Sequence, residues 1–408
     1  MNKSVKEIPN SIILLLAIFL PFSAVGFYIG NLHFSISFIP FIFLTIIIFL
    51  NGEFKKTVLP KYLLFISVCF ISSFGRYNLL SFVPSLTIFA FLLFPFVGVI
   101  KNSKVEKYIF YSFILLSFYC MFELVIGNIS PQLIQSIEKI LQFNGSSTWY
   151  KGIRRLRGGV LEPSVLGLLL NFYLLIFIYS PLINKIKIIT IVFCLIWIIL
   201  TFSSTAYIGL IFNFFFGTVY FLRNRNRNRN RNKNGRFKKI IIFSILAVVI
   251  FSYLSAPFIK AFEKIYLIPT VLLTGNVSGS VGYRIHSITL PFEYILESDL
   301  YNKLLGTGFS NYSEYISYKY YNFEFSPFLD GSIGNIFSAI LLSTGVLGFI
   351  SFLFLFRKAF FINSSFLNRH FYSLIALTFL SYGDTTAPWI WSSIFLTKLC
   401  LTNITTKA

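Results

Sequence analysis

Three arginines fall within four positions, Arg154, Arg155 and Arg157, in the stretch IRRLRGGVLEPSVLG (Ile153–Gly167). Arginine suits phosphate, because its planar fork donates paired hydrogen bonds and keeps its charge. Three such charges repel one another unless an anion lies between them. The glycines that follow, Gly158 and Gly159, allow backbone amides to approach such an anion closely. Pro163 suits the first turn of a helix, whose N-terminus adds its dipole. The competing reading is interfacial snorkelling of long basic side chains. Glu162 stands in the same motif. It is either the counter-charge of the arginines or a general base that orients an acceptor hydroxyl. Arg284 recurs in GYRIH, two residues before His286. The titration range of His286 suits proton transfer, although a lone loop histidine is commonly incidental. Glu123 lies inside an apolar run, about 9 Å from its end at helical rise. A carboxylate placed there is a functional candidate or the partner of one of the arginines. His33 and His370 have no supporting neighbours.

The elements that must position these residues are membrane spans. The chain has 408 residues, of which 56% are hydrophobic and 12% charged; soluble domains carry about a quarter charged residues. Mean hydropathy is +0.76. These values define an all-α polytopic integral membrane protein, one membrane domain over 1–408. The N-terminal apolar run has no cleavage site of small residues and reads as a retained span. Apolar runs of spanning length fall at about 11–30, 34–50, 58–74, 79–100, 108–129, 160–180, 188–204, 206–222, 240–257, 333–356, 371–383 and 386–400, a total of about 12 helices. With both termini inside, 24 of the 35 Lys and Arg fall on inner segments, as the positive-inside rule requires.

Two outer segments exceed what a connection needs, 130–159 and 258–332, and long loops of this kind tend to be functional. The second is rich in Tyr, Phe and Gly. Its aromatics either stack on sugar or lie along the bilayer interface. The inner loop 223–239 opens on the dipeptide repeat RNRNRNRNRN (Arg223–Asn232). Arginine-rich tracts bind RNA in some proteins; the simpler reading is a solvated loop that enforces topology, touches anionic lipid and does not fold. Nucleic acid is therefore not an expected partner. The chain has no Walker loop, dinucleotide fingerprint, HExxH or paired CxxC. Its four cysteines (Cys69, Cys120, Cys194, Cys400) sit singly in apolar runs and read as buried apolar residues. No metal or cofactor is expected. Work must come from a pre-activated substrate or a gradient.

In its residues the chain resembles the bacterial O-antigen polymerases and ligases. The pattern Arg155-x-x-Gly158 followed by Glu162-Pro163-Ser164 is similar to a signature of that superfamily. LTFSSTAYIGL (Leu200–Leu210) is similar to its serine-containing turn between spans. Arg284 followed by LLGTGFSNY (Leu304–Tyr312) resembles its large outer loop, and Gly334-Asn335 with STGVLG (Ser343–Gly348) resembles the entry to the next span. The resemblance implies the bacterial inner membrane, with both long loops periplasmic. It implies an undecaprenyl-diphosphate-linked oligosaccharide as substrate, membrane lipid as surroundings and a chain-length regulator as possible partner. Ligases typically carry histidine directly before the motif's Asn, where this chain has Gly334; the superfamily's serine turn often continues with Arg, where this chain has Thr205. The Glu-Pro-Ser form is closer to polymerases.

The expected function is a glycosyltransferase that polymerises lipid-linked repeat units. The alternatives are a ligase acting on lipid A-core and a lipid-linked oligosaccharide flippase. Large outer loops favour an enzyme; inverted repeats and charged midplane sites, which mark transporters, are not evident. Arg155, Glu162 and Arg284 are the expected catalytic residues. Arg154, Arg157, Gly158, His286 and Asn335 are expected to bind substrate, Asn335 through the resemblance.

Overall fold

The computed structural model describes residues 8–29, 32–51, 59–73, 102, 104–141, 149–150, 153–160, 162–180, 184–227, 289–308, 335–361, 366–382 and 387–407. The described chain is mostly helical. The expected spans 79–100 and 240–257 lie outside the described residues. So do Arg284, His286 and residues 258–288 and 309–332 of the large loop.

The helices are α1 (Asn10–Phe19), α2 (Phe38–Asn51), α3 (Leu59–Ser73), α4 (Val105–Ile129), α5 (Pro131–Ile140), α6 (Pro163–Tyr179), α7 (Asn184–Leu200) and α8 (Ser204–Arg227). They continue with α9 (289–297), α10 (Leu300–Leu305), α11 (Ile336–Phe361), α12 (Phe366–Ser381) and α13 (Pro388–Lys407). Among the described residues, two helices are long and apolar enough to cross a membrane, Val105–Ile129 and Ile336–Leu355.

Two short hairpins accompany the helices, and the described residues remain consistent with the all-α class. β1 (Gly26–Ile29) pairs antiparallel with β2 (Leu32–Ser35), and β3 (Trp149–Tyr150) with β4 (Ile153–Arg154). The expected span 11–30 is accordingly shorter. After α1 the chain tightens into a 3₁₀ turn, Leu20–Phe22, with Pro21 near its start, and then leaves helix for β1. The Arg-Asn repeat also departs from expectation, since α8 runs through its first five residues to Arg227. Arginine is a good helix former, and an existing helix extends at little cost.

The chain divides into two compact units. One holds α2, α3, α9, α10, α11 and α12. Its core is aromatic. The Phe352 ring lies 5.7 Å from that of Phe65 and 6.0 Å from that of Phe379, and Phe379 lies 5.8 Å from Trp391. Leu290, Tyr294 and Ile295 of α9 pack with Ala339, Leu341 and Leu342 of α11.

α11 is broken at Gly345, whose φ of 61° is left-handed. The carbonyls that the break releases are taken up by the GTG sequence after α10. Thr307 N–H donates to Leu342 O at 2.7 Å and Gly308 N–H to Ser343 O at 3.1 Å. A Cβ on Gly345 would meet the Leu304 carbonyl carbon at 2.4 Å, and one on Gly306 would meet Gly345 N at 2.5 Å. Backbone therefore packs on backbone, so LLGTG and STGVLG form one structural feature. A broken apolar helix needs its freed polar groups answered by protein, and this loop answers two of them.

The second unit holds both hairpins and α4–α8. Its centre is α6, buried on nearly every face and packed against α7 and α8. Small residues set the close approach of α6 to α8, since a Cβ on Gly167 would meet Ala206 Cβ at 2.2 Å. Two buried amides join these helices. Asn171 Nδ2 donates to Gly167 O (2.7 Å) and Ala206 O (2.9 Å), and Asn213 Nδ2 donates to Asn171 Oδ1 (2.7 Å). Polar side chains hold apolar helices together in this way, each bond worth about 0.6–2 kcal/mol. Ser112 of α4 links Tyr173 of α6, 2.5 Å away, to the Ala17 carbonyl of α1.

Candidate functional site

The site is built in the second unit around the arginine loop 153–160. Two acidic residues reach it, each placed by the period of its helix. On α4 the buried positions include Ser112, Leu116, Cys120, Glu123 and Gly127. Their spacing of three or four residues defines a single inward stripe, and Glu123 belongs to it. Phe118, Met121, Phe122 and Val125 occupy the exposed face. α5 starts at Pro131 directly after α4, and its buried residue Ile134 lies one turn before Glu138. Glu138 therefore shares the inward side of α5.

Glu123 is 1% exposed and accepts backbone amides from the loop. Arg157 N–H donates to it at 3.3–3.4 Å and Gly158 N–H at 2.8 Å. Buried backbone amides need such partners, and the Glu123 side chain supplies them. The Arg157 guanidinium is buried as well, with Nη2 2.7 Å from Glu138 Oε1. The glycine pair thus serves a different end from the expected one. Gly158, at φ 60°, holds its amide on the chain's own carboxylate. Gly159 lies against the end of the 3₁₀ turn, where a Cβ would meet Pro21 O at 2.5 Å, and its carbonyl accepts Ala24 N–H. Arg157 and Gly158, expected to bind substrate, are engaged with Glu138 and Glu123.

Arg155 turns the other way, towards the connection between α7 and α8. Its Nε donates to Thr201 O and its Nη2 to Phe202 O, both at 3.1 Å. Leu156 N–H donates to Leu200 O at 3.2 Å. Phe202 has φ 47°, a left-handed conformation that costs a non-glycine residue about 1–3 kcal/mol. The two bonds from Arg155 fix the carbonyls on both sides of this strained step. Cations also favour a helix C-terminus, and α7 ends here. Ser203 Oγ accepts Ala206 N–H at 3.4 Å, opening α8. The arginine motif and the serine-containing turn thus meet in space through Arg155. Thr205 is buried beside this turn.

Glu162 is exposed at the N-terminus of α6. The Ser164 hydroxyl donates to its Oε2 at 3.0 Å. Among the described residues no arginine pairs with it. The acidic partners of the loop are Glu123 and Glu138, so Glu162 is not needed as their substitute. Arg154 closes β4, in register with Trp149.

Asn335 lies in the other unit. It is buried, and its Oδ1 accepts Ser338 N–H at 2.8 Å, as an N-cap does at the start of α11. Among the described residues no cluster of three or more His, Cys, Asp or Glu could hold a metal ion.

Sequence reasoning missed Glu138, Asn171 and Asn213. Glu138 had a signal, as an acidic residue on an amphipathic helix within the same segment, 130–159, as the arginines. Asn171 and Asn213 had a weaker one, as amides inside apolar runs.

Residues 189–353 match the family described as O-Antigen ligase. That segment carries the α7–α8 turn that Arg155 grips and the GTG–Gly345 feature. The match covers less than half of the chain and supports the superfamily of O-antigen ligases and polymerases. Its members are glycosyltransferase-like enzymes of glycan assembly, are associated with bacterial membranes and use lipid-linked glycans. A search of curated proteins found no match.

Proposed function

We propose that the chain polymerises undecaprenyl-diphosphate-linked oligosaccharide repeat units into O-antigen or a related surface polysaccharide. In this reading the protein is a twelve-span inner-membrane protein with cytoplasmic termini, and 130–159 and 258–332 are periplasmic loops. A hydroxyl of one lipid-linked unit attacks the anomeric carbon of another. The new glycosidic C–O bond forms as the bond to the diphosphate breaks, and undecaprenyl diphosphate leaves. Arg155 and Arg284 stabilise the charge growing on that leaving group, with Arg154 nearby. Glu162 takes the hydroxyl proton. His286, two residues from Arg284 in sequence, is a proposed substrate-binding residue. Membrane lipid surrounds the protein, and a chain-length regulator is a proposed partner.

The observation that carries this reading is the clamp from Arg155 to Thr201 and Phe202. It joins two separate family-like motifs into one place and sets the exposed Glu162 on the same loop. The ligase reading draws on the family description itself. Gly334, where ligases typically carry histidine, favours the polymerase. The test is a lipopolysaccharide gel of a deletion strain. A ladder collapsed to one repeat unit on lipid A-core supports the polymerase; complete loss of glycan from lipid A-core contradicts it and points to a ligase or flippase.

A further inference from the structure

We infer that Glu123 and Glu138 are positioning residues that set Arg155 by locking the residues directly after it. The inference rests on the proposed role of Arg155 at the leaving diphosphate. Three successive backbone amides are fixed: Leu156 on Leu200 O, then Arg157 and Gly158 on Glu123. The Arg157 side chain is fixed at the same time on Glu138. Arg155 is thus the last residue before a rigid segment, and its guanidinium bonds to the turn Thr201–Phe202. The two carboxylates come from two helices joined at Ser130–Pro131, so any shift of the α4–α5 corner shifts the loop.

The lock also explains how three arginines in four residues coexist. Arg157 is neutralised internally, and the motif does not present all three charges to a substrate. Buried ion pairs are costly to break, because the remaining charge stays buried without its partner. Arg157 and Glu138 should therefore act as one unit, and Glu123 should act through Arg155.

The experiment uses the full chain purified into lipid nanodiscs, with turnover measured on the acceptor that wild type uses. Monodispersity on size exclusion confirms folding of each variant. Arg157→Glu alone and Glu138→Arg alone are expected to lower kcat/KM by at least about 10-fold. The swapped pair Arg157→Glu with Glu138→Arg is expected to return to within about 3-fold of wild type. A folded but inactive swap, or full activity in Glu138→Ala, would overturn the lock, because Arg157 would then be a substrate ligand.

Glu123→Gln keeps a carbonyl acceptor and folds more readily than Glu123→Ala. It is expected to lower kcat by about 10-fold in wild type and by less than about 2-fold in an Arg155→Lys background, since residues acting through one another are non-additive. Equal losses in both backgrounds would show a general structural role and overturn the inference. Should wild type use lipid A-core and not a second lipid-linked unit, the polymerase reading fails, and the swap is still scored on that product.

Discussion

Arg155 donates through Nε to the carbonyl of Thr201, 46 residues further along the chain, at 3.1 Å. This bond ties the loop before α6 to the turn between α7 and α8. A single side chain thus sets the spacing of three helices at the place where the proposed diphosphate is held.

Arg155→Lys should therefore fail almost as badly as Arg155→Ala. Lysine keeps the charge but cannot reach two carbonyls with a planar fork. A drop in polymer of at least about 100-fold is expected for each, a loss typical of removing one group that stabilises transition-state charge. Arg284→Ala should match it. The measurement is the lipopolysaccharide ladder at equal protein level, and a normal ladder in Arg155→Lys would show that charge alone suffices.

Glu162→Gln should leave folding untouched and lower turnover by about 10²-fold or more, the usual contribution of a general base. Its exposure and its one Ser164 partner predict no change in thermal stability. Turnover and melting temperature of the purified variant decide the matter. Unchanged turnover would return Glu162 to the surface.

Gly345→Ala should destabilise the first unit. The residue has φ 61°, and its new Cβ would strike the Leu304 carbonyl carbon at 2.4 Å. Such a substitution costs more than about 1 kcal/mol. Poor membrane yield or a lowered melting temperature is expected, and wild-type behaviour would mean that α11 can straighten.

Asn335→Asp should be tolerated and Asn335→Ala should not. Aspartate is an equally good N-cap, whereas alanine costs about 1 kcal/mol. Thermal stability is the readout. Loss of activity in a fully stable Asn335→Asp would place Asn335 on the substrate instead.

Much of this arrangement was legible in the sequence. Apolar runs place α4, α6, α7 and α8 within a few residues, and the family-like pattern singles out Arg155, whose side chain the structure sets on Thr201 and Phe202. What was not legible depends on pairing across distance. Nothing local says that Glu138, 19 residues before Arg157, turns inward, because its orientation depends on where Pro131 starts α5. The glycines of 158–159 look like an anion nest, and only the approach of Pro21 and Glu123 shows what fills it. The helix break at Gly345 is invisible to hydropathy, which sees one apolar run. The early end of the first span has a similar cause, since Phe27 and Tyr28 suit β-strand as readily as an apolar helix.

If the chain is a polymerase, lipid-linked repeat units alone are sufficient substrates for it. The direct measurement is incubation of the purified protein with such units, without lipid A-core, followed by sizing of the glycan. Polymer is expected from wild type and none from Arg155→Ala. Absence of polymer from wild type, with transfer of glycan once lipid A-core is added, would contradict the polymerase reading.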